Sequence, residues 1–155
     1  MTIYSVSDVV TIGNADARVV LTGTGLPDSV AMPFRPAPGI EVWSRDPQFA
    51  ILGHWDDQIP VLAHRQDGDV STAPPWSDEI DPLNSSVRNF AESLRALDDA
   101  HPLSRTRFGT SVAAGRHAEA LLREIDPETY DDPYSFWQAI VSDIKNGDFS
   151  TDPPG

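Results

Sequence analysis

The hydrophobic period of this chain changes near Asn84, and that change limits the fold more than any single motif. Before it, apolar residues alternate or come in short runs, as in Ile40-Glu41-Val42-Trp43, Phe49–Gly53 and Ile59–His64. After it, Val87, Phe90, Ala91 and Leu94 fall at i, i+3, i+4 and i+7, with Leu97 one turn on. Period two suits strands and a period of about 3.6 suits helices, so a sheet followed by helices is expected. Strands and helices segregated along the chain point to the α+β class rather than an alternating α/β one.

Turn chemistry supplies the boundaries. Asn14 is placed to cap a short helix through Ala15, Ala17, Val19, Val20 and Leu21, which Gly23-Thr24-Gly25-Leu26-Pro27 ends. Pro33 to Gly39 reads as a proline-rich connection ordered only by its neighbours, and Ile40 to Trp43 as an edge strand. Phe49–Gly53, Ile59–His64 and Val70–Ala73 read as three sequential antiparallel strands. The last two are joined by Gln66-Asp67-Gly68-Asp69, because Asp-Gly readily takes the positive φ angles of a tight turn. Pro74-Pro75-Trp76 ends the sheet, and an acidic loop leads on to Asn84.

Asn84, Ser85 and Ser86 are candidate caps for the first long helix. A second helix carries Ala118, Leu121, Leu122 and Ile125, and Asp126-Pro127 stops it. A third has Asp132 as N-cap, Pro133 at its first position, Trp137, Ile140, Val141 and Ile144 as its buried stripe, and Gly147 as its exit. Residues 1–13 are an arm or an opening strand, 14–149 a single α+β domain, and 150–155 a polar tail.

A length of 155 residues suits one domain with a substantial core. The absence of cysteine excludes disulfides, zinc–thiolate and iron–sulfur sites, and thiol catalysis. Twenty-four acidic residues against 11 basic ones give a formal net charge of −13. Such a surface repels nucleic-acid phosphates and anionic membranes and attracts basic proteins. The same acidity would also serve solubility alone. Met1 to Asp16 lacks a basic start and a continuous apolar run, and no stretch approaches the roughly 20 apolar residues of a membrane span. A cytoplasmic protein with no membrane partner and no direct nucleic-acid partner is therefore expected.

The chemistry motifs are missing. Gly23-Thr24-Gly25 ends a helix rather than opening one and has no nearby lysine, unlike a phosphate-binding loop. No G-x-S-x-G elbow occurs. His54, Asp56, Asp57 and His64 lie on adjacent expected strands, but His-Trp-Asp-Asp is not a ligand spacing. No metal, no cofactor and no catalytic residue is assigned. An enzyme reading would require those histidines and acids to converge in a closed pocket.

Recognition fits better. Phe90 and Trp137 sit on helical stripes and belong to the core. Trp55 and Trp76 flank expected strands at loop edges, among Asp56, Asp57, Asp67, Asp69, Asp78, Glu79 and Asp81. An aromatic anchor ringed by charge is a common way to build a protein-binding hot spot. These nine residues form the candidate partner-binding set.

Four segments then resemble the SUKH superfamily of bacterial immunity proteins, especially its fourth family. They are Leu21 to Pro27, with its Gly25-Leu26-Pro27 helix exit; Ile51-Leu52-Gly53 followed by Ile59 to Val70 with the Asp67-Gly68 turn; Leu83-Asn84-Ser85-Ser86-Val87 leading into Phe90 and Leu94; and Asp132-Pro133 through Trp137 to Gly147. The resemblance spans most of the chain from about Asn14 to Gly147. It implies a SUKH-like fold, an antiparallel sheet packed against several helices. It also implies an antidote that binds and neutralises a cognate polymorphic toxin, often a nuclease or nucleic-acid deaminase, in competition between bacteria. The resemblance carries no catalytic residues. A regulatory or scaffold protein on the same fold, binding an endogenous partner, is the alternative. The chain departs from the family pattern in the short helix after Asn14 and in Pro33 to Gly39.

Overall fold

The structure, a computed structural model, describes residues 1–149; the tail expected over 150–155 lies outside them. Helix α1 (Ala15–Thr22) precedes strands β1 (Phe34–Val42), β2 (Phe49–Trp55), β3 (Ile59–His64), β4 (Val70–Thr72) and β5 (Asp81–Asn84). Helices α2 (Val87–Asp99), α3 (Arg105–Phe108), α4 (Ser111–Ile125), α5 (Pro127–Tyr130) and α6 (Phe136–Lys145) follow. The sheet order is β1-β2-β3-β4-β5 and every neighbouring pair is antiparallel. Each strand thus pairs with the next in sequence, which local turns allow without a crossover. The α+β class inferred from the change of period is what the chain adopts.

Asn14 caps α1 as its sequence suggests: its Oδ1 accepts from the Ala17 amide at 2.9 Å. Its Nδ2 also donates to the Gln66 carbonyl at 3.2 Å, tying the helix to the β3–β4 turn. In that turn Gly68 has a φ of +81°, the left-handed geometry that Asp-Gly was expected to supply.

The proline-rich segment departs from its expected role. Residues 34–39 are not a bare connection but the first part of β1, with Pro36 opposite Gly53. Prolines are tolerated there because β1 is an edge strand, whose amides on one side have no ladder partner to lose. Residues 1–13 lie along that edge. The Tyr4 hydroxyl donates to the Ala37 carbonyl at 2.6 Å and Thr11 Oγ1 to the Ile40 carbonyl at 3.4 Å. Burial, reinforced by Asp28 and Asp8, pushes the Tyr4 hydroxyl up to about 12, so it remains a donor at any physiological pH.

Two further expectations are corrected. The acidic loop before Asn84 contains β5, whose four residues are too short to show alternation. The last helix begins at Phe136 rather than Pro133. Asp132 does not cap it; its Oδ1 accepts from the Tyr134 amide at 2.8 Å and its carbonyl accepts from the Ser135 amide at 3.0 Å. That local turn uses the aspartate three residues early.

The main core lies between the sheet and the helices. Phe34 meets Phe90 edge-on at 5.0 Å, and Trp55 meets Phe136 and Trp137 at 5.3 and 5.5 Å. The Asn84-Ser85-Ser86 run has a physical reason. Ser86 Oγ accepts from the Asn89 amide at 3.0 Å and so caps α2. The buried Asn84 accepts from Trp137 Nε1 at 2.9 Å and donates to Asp126 Oδ2 at 3.1 Å, joining β5, α6 and the α4–α5 junction. Asp126 also accepts from the Ser85 amide at 2.7 Å.

Candidate partner-binding surface

The sheet face away from the helices carries a second, smaller apolar cluster of Trp43, Phe49, Leu62 and Ala73, with Ile51 against it. The β4–β5 connection, residues 73–80, forms a strap on this face: its Ala73 packs in the cluster with the fully buried Leu62, and its Asp78 and Ile80 line a hollow with Trp43 and Phe49. The Ala73 amide anchors one end on the Pro60 carbonyl at 3.1 Å. Further along, Asp78 lies 3.8 Å from Arg45, which itself stands over the Trp43 ring. Both partners of that ion pair are largely exposed, so it contributes little to stability. Trp76 projects from the strap with 71% of its surface exposed, beside the exposed Asp78 and Glu79.

Trp55 differs from the expectation, being only 3% exposed. The cause is a bulge. Ile51 pairs with Leu62 but Gly53 pairs with Val61, so Leu52 is an extra residue in β2. An extra residue inverts the alternation beyond it, and Trp55 turns inward onto Phe136 and Trp137 instead of sharing the face of Ile51. Gly53 is required at the same bulge, where a Cβ would stand 2.2 Å from the Arg35 carbonyl oxygen.

The expected acids do not form one patch. Asp56 and Asp57 occupy the β2–β3 turn, both exposed and both with left-handed φ angles of 55° and 58°. Asp67 and Asp69 occupy the β3–β4 turn. Successive turns of a meander lie at opposite ends of the sheet, so these two pairs are apart by construction. Asp78 and Glu79 ride on the strap and Asp81 opens β5. Burial, and secondarily the charge of Glu79, holds the Asp81 carboxyl above its usual range. Asp69 also faces Glu128 and Asp132 across a cleft of about 310 Å³ between the β4–β5 pair and α5.

The same topology separates the histidines. His54 pairs with Pro60 and His64 with Phe49, at opposite ends of the β2–β3 ladder, so His54, Asp56, Asp57 and His64 do not converge. The side chains that do approach are His64, Asp67 and Asp69, whose ligand atoms lie within 4.8 Å of one another. There the Asp67 amide donates to His64 Nδ1 at 3.1 Å. Among the described residues no helix is long and apolar enough to cross a membrane.

These features define a single-domain α+β protein whose helices cover one sheet face, whose strap with its exposed tryptophan lies on the other, and whose acidic turns stand at the two ends of the sheet. The chain belongs to the SUKH-4 immunity protein family, whose model matches residues 7–143. Comparison with curated proteins and with solved structures finds no significant match. Family membership implies an immunity role with a protein toxin as partner.

Proposed function

We propose that this protein binds a cognate toxin domain in the cytoplasm of the cell that makes it and neutralises the toxin by covering its active groove. The family match over residues 7–143 carries this reading. The charge of −13 supports a toxin with a basic surface, as a nuclease or nucleic-acid deaminase needs for phosphate. Asp56, Asp57, Asp67, Asp69, Asp78, Glu79 and Asp81 supply the attractive field, and Trp76 supplies exposed aromatic area. Trp55 is left out because it is buried. The same acids disfavour direct binding of nucleic acid or anionic lipid. Buried acid–base machinery is not part of this reading; the protein acts by occupancy.

Co-expression with candidate toxin domains encoded by neighbouring genes tests the proposal. Restored growth together with a stoichiometric complex on size-exclusion chromatography is the expected result. Failure to bind or protect would sink it, and capture of an endogenous regulator instead would favour the scaffold alternative.

A further inference from the structure

The outer sheet face holds a second concavity, separate from the acidic turns. β1 shifts register against β2 between Pro36 and Glu41, and the irregularity leaves a pocket of about 190 Å³. Its lining is Ala37, Pro38, Gly39, Glu41, Ile51 and His54. Sites for small metabolites run from roughly 300 Å³ upward, so this volume suits one side chain better than a free ligand. Its walls are mostly apolar. The Glu41 carboxylate makes no hydrogen bond or ion pair among the described residues, while Arg35, opposite His54 in the ladder, is drawn to Asp57 at 3.9 Å.

We propose that this pocket seats one arginine side chain of the toxin, an inference that rests on the toxin-binding reading. The alkyl stem lies on Ile51 and Pro38, and the guanidinium meets the Glu41 carboxylate and the His54 ring. An apolar wall with one acid at the lip selects an amphipathic cation. Arginine suits it better than lysine, because the guanidinium is planar, weakly hydrated, stacks on rings and pairs with carboxylates in a fork. The surplus of acid over base in the whole chain makes a basic partner the complementary one. Ile51 also packs against the outer cluster of Trp43, Phe49, Leu62 and Ala73, so one wall of the pocket is held in place by that cluster. Arginine is among the residues enriched in hot spots, which sit in well-packed pockets of this kind.

Gly39 offers a direct test, since a Cβ there meets nothing within 4 Å and a filling side chain displaces no neighbour. Gly39→Leu and Glu41→Gln, with Glu92→Gln on α2 as a control acid, are titrated calorimetrically against catalytically inactivated forms of the candidate toxin domains encoded by neighbouring genes. The pocket variants are expected to keep the thermal midpoint of the unmodified protein and to bind at least about tenfold more weakly, with the control unchanged. If the unmodified protein binds and both pocket variants bind equally well, the pocket is overturned and the toxin reading stands. If the unmodified protein does not bind, both fall together.

Discussion

At Asn84 the side-chain amide works at both ends. Its carbonyl accepts from Trp137 Nε1, while its NH2 group donates to Asp126 at 3.1 Å and to Ser93 at 3.3 Å. Asn84→Ala removes all three bonds and leaves an indole N–H and a carboxylate buried with fewer partners. The expected loss is about 3 kcal/mol, because an orphaned buried polar group costs more than the net worth of its bond. Urea unfolding checks this: the midpoint should fall with the slope unchanged. Asp81 makes an opposite case. Its folded-state pKa is raised, so the folded protein holds that proton more tightly than the unfolded chain does. Its ionisation therefore costs stability as pH climbs through the carboxylate range, and the cost vanishes in acid. Asp81→Asn should raise the melting temperature at pH 7 and leave it unchanged near pH 3. An equal gain at both pH values would disprove the titration account.

The β2–β3 hairpin shows how an element combines geometry with charge. Two consecutive aspartates hold left-handed φ angles, positions that asparagine and glycine occupy more easily. Asp57→Gly should stabilise the fold by about 0.5 kcal/mol by relieving that conformation, less the entropy glycine adds to the unfolded chain. It should also slow association with the toxin, since a turn acid is gone. Thermal melts and stopped-flow association on the same variant measure the two effects separately. A stable variant that associates as fast as the unmodified protein would leave the turn with a purely structural role. The bulge in β2 works at the same scale, because one extra residue decides that Trp55 serves the core and not the surface.

Across the whole molecule, the acids act as a field more than as a patch. Asp56 and Asp57 sit at one end of the sheet and Asp69 at the other. Reversing all three to lysine should slow association at least about tenfold at low salt, with the difference shrinking as screening shortens the reach of charge below about 10 Å. Dissociation should change far less, because seated side chains set the lifetime of a complex. Association rates against ionic strength provide the check. An unchanged low-salt rate would leave the acidity as a solubility device.

Local chemistry was legible in the sequence wherever one residue decides one turn. The Asn14 cap, the Asp67-Gly68 hairpin, the period of α2 and the Gly147 exit all follow from short-range sterics and hydrogen bonds. So does the α+β class, because the change of hydrophobic period is a property of the chain and not of its packing. What the chain could not show locally depends on neighbours far along it. β1 absorbs two prolines only because it falls at a sheet edge, and β5 is a strand only because β4 offers a ladder. The candidate surface followed the same divide. Trp76 was visible as an aromatic among acids, whereas the burial of Trp55 and the pocket beside Glu41 both come from register shifts against β2 and its neighbours. A register shift is set by pairing between strands, and pairing is decided only when the tertiary structure forms.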